Sequence, residues 1–203
     1  YSILARIAQS LLGDAEWVLR LPALCFGVLG VIALWRLSAF LWNSRFALLP
    51  AFLLCFAPIH VVYSSSVRGY SAMVFFSVVC IHSYLLLAKR WSLRRAGVFV
   101  MASALGMYFH LYCGALTLTL FVRTVYRLSR RQLSGAIQWM AAFVAIAAIA
   151  GLLYLPAVTS FYSTLVNRGR RRFQWTLPYE VFSMLNGDVL WPFLIPLFLL
   201  AAA

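Results

Sequence analysis

The chain is nearly without acids: Asp14, Glu16, Glu180 and Asp188 stand against 17 lysines and arginines in 203 residues. Charged residues of both signs reach only 10%, where a soluble domain carries about 25%. So few charges cannot cover a water-facing surface, which excludes a soluble globular domain. Cysteine is also sparse. Cys25, Cys55, Cys80 and Cys113 each fall alone inside an apolar stretch. They have neither the paired spacing of a zinc site nor the density of a disulfide framework, and they read as small buried hydrophobes. The N-terminal Tyr-Ser-Ile-Leu-Ala-Arg lacks a charged region ahead of an apolar core, so it is not a signal peptide. No internal repeat and no low-complexity linker is present.

What the chain does have is apolar residue, 65% of the total, gathered in blocks. A bilayer core takes about 20 apolar residues as a helix, fewer where flanking groups snorkel. Seven segments qualify, at 20–41, 46–59, 71–88, 96–109, 112–126, 136–156 and 189–203. The second, fourth and fifth are short, which suggests two-part or tilted elements, or a broken pair for the last two of these. The expected fold is therefore all-α: one polytopic transmembrane helix bundle over 1–203, with an external juxtamembrane segment at 1–19 and an external loop at 157–188.

The net charge of +13 raises the possibility of nucleic acid, but the basic residues gather at the ends of apolar blocks, as in membrane proteins generally. Nucleic acid is not an expected partner; membrane lipids are. If the segments alternate in direction, 42–45, 89–95 and 127–135 share one side. They carry Arg45, then Lys89, Arg90, Arg94 and Arg95, then Arg127, Arg130 and Arg131. Short basic loops mark the cytoplasmic side. The other side receives 1–19, 60–70, 110–111 and 157–188. Arg168, Arg170, Arg171 and Arg172 break the bias there. Two readings stand: long loops escape the charge rule, or the arginine forks match phosphate oxygens and form an anion site.

Three polar stretches fall on that same side. Pro58 to Tyr70 packs His60, Tyr63, three serines, Arg68 and Tyr70 into what reads as a short surface turn. Ionisable residues near membrane depth are functional candidates by default; the ordinary explanation is a wetted loop with Arg68 snorkelling to headgroups. Gly106 to Gly114 holds His110 between Tyr108 and Tyr112. A lone histidine is more often structural, yet here it could hydrogen-bond or carry charge toward an anion. Gly13 to Pro22 places Asp14 as a helix cap and Glu16 in the first turn, and that ordinary role suffices for both.

The order of these stretches resembles bacterial and archaeal membrane glycosyltransferases of the GT-C fold. The group is that of the dolichyl-phosphate-mannose–protein mannosyltransferases and aminoarabinose transferases. Gly-Asp-Ala-Glu-Trp-Val-Leu-Arg-Leu-Pro at 13–22 and Leu-Pro-Ala-Leu-Cys-Phe-Gly-Val-Leu at 21–29 resemble the start of one family span. Pro58–Tyr70 is similar to its "PFHIWYSQEARMYAL", and Tyr108–Tyr112 to its "YTHYF". Leu155-Pro156 and Phe173–Leu185 resemble the end of a later span and the loop after it. The resemblance implies sugar transfer from a polyprenyl-phosphate donor to a lipid, glycan or protein acceptor on the non-cytoplasmic side. It implies a general-base carboxylate and stabilisation of the departing lipid phosphate. By position, Arg68 would contact that phosphate, His60, Tyr63 and Tyr70 would shape the site, and His110 would lie near it. Arg168, Arg170 and Arg171 are added as substrate-binding candidates on their anion-site reading.

Ser65 and Ser66 stand where many members have Gln-Glu, so one acidic contact is missing. The family's first span and acidic external loop would precede Tyr1. The chain is therefore expected to be a piece of a larger protein of a bacterial or archaeal cell (inner) membrane, with its catalytic carboxylate upstream. No cofactor is identified; a divalent metal is possible, but no ligand spacing indicates one. The competing reading is a transporter or flippase for a lipid-linked anion, with intramembrane charges lining a path.

Overall fold

The computed structural model describes residues 2–42, 46–132 and 135–168, with side chains from 3 to 155. Tyr1–Gly151 forms one compact unit and Leu152–Ala203 a second. The elements are α1 (Ser2–Leu12), α2 (Glu16–Leu41), α3 (Leu48–Phe56), α4 (Pro58–Ser65), α5 (Tyr70–Lys89), α6 (Leu93–Phe109), α7 (Tyr112–Ser129) and α8 (Ala136–Arg168). Among the described residues there is no strand. The all-helical expectation therefore holds, and each of the first six apolar segments corresponds to a helix or a helix pair. The seventh, 189–203, lies outside the described residues.

Glu16–Leu41, Tyr70–Lys89 and Ala136–Leu155 are each long and apolar enough to cross a bilayer. The segment at 46–59 is two-part: α3 and α4 meet at 65°, and together they make a fourth candidate span. Proline causes the break. Ala57 is extended at φ −66, ψ 119, the conformation that a following proline imposes, and Pro58 then opens α4 where its missing N–H costs nothing. Most of the stretch expected as a surface turn is consequently helix. Ser64, Ser65 and Ser66 donate their hydroxyls to the carbonyls of His60, Val62 and Tyr63 at 2.7, 2.9 and 3.1 Å, which lets three serines sit at a helix end without exposing unpaired donors. Only Ser66–Gly69 remains as turn. At the other extreme, α8 stays helical to Arg168, so helical backbone carries through the first part of the 157–188 connection.

α2 buries small residues and exposes large ones. Ala23, Gly27, Gly30 and Ala33 face the protein, while Leu24, Val28 and Trp35 are exposed. Water would penalise that arrangement, but lipid does not: with lipid as apolar as leucine, helices associate by close approach along small-residue stripes. α5 lies central, against α2 on one side and α6 and α7 on the other. Phe26 of α2 meets Phe75 and Phe76 of α5. Tyr84 of α5 contacts Phe99 of α6 and Trp139 of α8, and its hydroxyl accepts from Thr124 Oγ1 of α7 at 3.2 Å. Tyr84, Phe99, Trp139 and Leu120 are all essentially inaccessible and form the centre of the core.

These contacts fix direction. Phe26 packs at the start of α5, whereas Phe40, near the end of α2, packs on His82 and Lys89 near the end of α5. α2 and α5 therefore run parallel, and the basic connections at 89–95 and 127–135 lie at the end where both helices finish. Trp91 against Trp139 ties the first of these connections to the start of α8.

Candidate functional site

At the opposite end, two chain turns come together. Ser66–Gly69 joins α4 to α5, and His110-Leu111 joins α6 to α7. Gly69 backs onto Phe109 so closely that a Cβ there would lie 2.9 Å from the Phe109 carbonyl oxygen. Arg68 and His110, each the chain neighbour of one of those residues, are thus held at the same end of the bundle, as the sequence predicts.

A row of rings crosses this junction. Tyr63 of α4 stacks on Tyr70 of α5 with centroids 4.5 Å apart. Tyr70 reaches His110 at 5.2 Å, and His110 stacks on Tyr112 at 4.7 Å. Beneath the row, Phe76 stacks on Phe109 and Phe26 closes on both, so an apolar floor from three helices supports it. Stacked and tilted rings at these spacings are favourable beyond their area. They also lose little conformational freedom when a ligand binds.

Two polar atoms here are buried without a hydrogen-bond partner: Ser71 Oγ and His110 Nδ1. Such atoms are few in native proteins and each calls for an explanation. Burial lowers the pKa of His110, so near neutral pH its ring is an uncharged donor and acceptor, and the cation on the turn beside it is Arg68. Arg68 is exposed on its turn, its backbone N–H donating to the Ser66 carbonyl at 2.8 Å.

The helix ends add to this field. α5 begins at Tyr70 and α7 at Tyr112, and Cys113 lies beside Ser77 and the Met73 carbonyl of α5. The two helices therefore start side by side. Their first-turn N–H groups and positive dipole ends lie at the end of the bundle that carries Arg68, an arrangement that favours an anion.

His60 is not in the ring row. It is 6% exposed, one turn before Ser64 on the face of α4 that meets α2, where Ser64 lies against Gly27. Its burial there packs α4 in place. Tyr112 joins the site through its stacking on His110. It was legible in the sequence as an aromatic flank of that histidine. Asp14 accepts from Gln9 Nε2 at 2.7 Å, and Glu16 pairs with Arg20 one turn on, so both acids have local partners. The Arg168 side chain, Arg170 and Arg171 lie outside the described residues, as do Glu180 and Asp188. Among the described residues no three His, Cys, Asp or Glu side chains are close enough to share a metal ion.

Comparison with the curated proteins and with the solved structures returned no significant match. A family model does match. It spans residues 1–155, taking in α1 to α7, most of α8's apolar stretch and both turns that build the ring row. The chain belongs to the dolichyl-phosphate-mannose-protein mannosyltransferase family, a family of integral membrane glycosyltransferases.

Proposed function

We propose that this chain binds the donor of a glycosyl transfer, a sugar carried on a polyprenyl phosphate, at the ring-lined end of the bundle, and that the sugar passes to a lipid, glycan or protein acceptor there. The observation that carries the reading is the union of the 58–70 and 108–112 stretches through Tyr63, Tyr70, His110 and Tyr112. Separate helices have little reason to bring these groups together for packing alone.

Each residue then has a role in the proposal. Arg68 and the starts of α5 and α7 hold the donor phosphate and stabilise its charge as the sugar departs. Arg168, Arg170 and Arg171, whose side chains lie outside the described residues, are proposed as further substrate-binding groups on the match of their guanidinium forks to phosphate oxygens. Tyr63 and Tyr70 present aromatic surface to the sugar, His110 holds the row closed between Tyr70 and Tyr112, and His60 shapes the site by seating α4. The acceptor hydroxyl needs a general base. We assign that role to a carboxylate of the complete protein ahead of Tyr1. The site faces the non-cytoplasmic side of a bacterial or archaeal cell (inner) membrane, because the short basic connections gather at the other end.

The test is turnover of a labelled polyprenyl-phosphate sugar by the complete protein in membranes. Removing a charged hydrogen-bonding partner costs roughly 1.5–3 kcal/mol, so Arg68→Ala should slow turnover about ten- to a hundredfold. Activity within about twofold of the unaltered protein would refute the phosphate role of Arg68. Donor that crosses between leaflets without being consumed would point instead to a flippase.

A further inference from the structure

The basic end carries a feature that the proposed reaction does not use. An open cleft of ≈ 300 Å³ lies between α2, α5 and α7, lined by Phe40, Leu41, Leu85, Ala88, Lys89 and Arg127. Its two cations come from different helices. Lys89 closes α5, and its ammonium sits 4.0 Å over the Phe40 ring. Arg127 is half-buried in the last turn of α7. The remaining wall is aliphatic. Among the described residues the acids are Asp14 and Glu16, both at the opposite end, so neither cation has a carboxylate in the cleft.

A merely solvated basic fringe would look different. Lys89, Arg90 and Arg130 are all exposed, and Arg130 too sits over a ring, 5.5 Å from the centre of Tyr126, but Arg90 and Arg130 line no part of this cleft. What sets Lys89 and Arg127 apart is that they line one recess from two different helices, and that Arg127 is half-buried there. Two fixed cations above an aliphatic wall match an amphiphile with an anionic head, and basic pockets between spans on this side suit lipid phosphates. A soluble phosphate would satisfy the cations but leave Leu41, Leu85 and Ala88 unused.

We propose that this cleft binds one anionic phospholipid, its phosphate between Lys89 and Arg127 and an acyl chain along Leu41, Leu85 and Ala88. The site is distinct from the donor site at the other end, and it stands or falls independently of the glycosyl-transfer reading.

The experiment is lipid binding by the purified complete protein in nanodiscs, read by native mass spectrometry, with phosphatidylglycerol against phosphatidylcholine. One phosphatidylglycerol should be retained in preference to phosphatidylcholine. Each charge removed should weaken retention about fivefold, the change expected for one basic residue at a membrane surface. Lys89→Gln with Arg127→Gln should therefore lose the lipid, and Lys89→Arg with Arg127→Lys should restore it. The pair Arg90→Gln with Arg130→Gln removes the same charge from the same end without touching the cleft, and should leave retention unchanged. Four results would overturn the proposal. One is equal retention of the two lipids, and another is indifference to the Lys89/Arg127 pair. A third is equal loss with the Arg90/Arg130 pair, which would reduce the effect to the general field of the basic end. The last is displacement of the lipid by millimolar inorganic phosphate, which would make the ligand a soluble anion. The fold control is the thermal melt, which should be unchanged in the Lys89/Arg127 double glutamine variant; should that variant melt early, the charge-keeping Lys89→Arg with Arg127→Lys variant carries the test.

Discussion

Gly69 is the narrowest point of the ring-lined end. Its backbone, at φ −78, ψ 10, is one that any residue can adopt, so only contact forbids a side chain there. A methyl group would press on the Phe109 carbonyl oxygen at 2.9 Å. The relief available is to part the α4–α5 turn from the α6–α7 turn, which opens the row between Tyr70 and His110. Gly69→Ala should therefore cut donor turnover about tenfold or more and lower the thermal midpoint by a few degrees, since overpacking costs roughly 1–3 kcal/mol. Unchanged turnover would mean that the ring row need not stay closed. His110 gives a second expectation, from its proton. Burial sets its folded pKa below the ordinary 6.5. Between those two values the unfolded chain binds the proton more readily than the folded one. Its contribution to stability is thus complete above about pH 6.5 and declines as the pH falls toward the folded pKa. Removing the titrating group with His110→Asn should flatten that acid-side decline in a thermal-melt series from pH 7.5 to 5. A slope that stays the same would place the titration elsewhere.

At the scale of the element, α2 determines whether α4 can hold the site. The stripe Ala23, Gly27, Gly30, Ala33 is not uniform. A Cβ at Gly27 would lie 2.7 Å from the Ser64 Cβ, an atom that cannot swing aside, whereas a Cβ at Gly30 would find Val74 and Phe75 at an ordinary 3.8 Å. Gly27→Ala should cost about 1–3 kcal/mol and displace α4, with Tyr63 on it. Gly30→Ala should be neutral or mildly stabilising, because alanine is favoured over glycine in a helix by about 1 kcal/mol. Urea or thermal unfolding in detergent separates the two, and equal effects would show that Ser64 does not set the approach of α2 to α4. The sequence analysis did not single out this stripe, and which of its glycines touches a neighbouring helix depends on the bend at Ala57-Pro58. The same bend explains why Pro58–Tyr70 reads as a polar turn: its density of hydroxyls looks like a loop until the serines are seen bonding back to their own helix.

For the whole molecule, the apolar blocks between 20 and 156 were enough to give the order of α2 to α8 and their alternation of direction, because a bilayer leaves the chain little else to do with such blocks, whereas α1 falls in the stretch read only as a juxtamembrane segment. The gathering of Arg68 and His110 at one end follows from that alternation alone. What periodicity could not supply is lateral: that α5 is central, that Tyr70 bridges Tyr63 and His110, and that His60 turns inward to α2. Those depend on which faces meet, and helices apolar on every side carry no such instruction. The alternation makes a further prediction about sidedness. With the exposed Cys25 and Cys55 replaced by serine, a single cysteine at Arg68 should react with a membrane-impermeant maleimide added to intact cells. A cysteine at Arg90 or Arg130 should react only after permeabilisation. The buried Cys80 and Cys113 serve as the unreactive background. If Arg68→Cys and Arg90→Cys labelled from the same side, α5 would not cross the membrane. Both the donor site and the phospholipid cleft would then have to face one leaflet. The parallel run of α2 and α5, fixed by Phe26 on Phe75 and Phe40 on Lys89, argues that they face two.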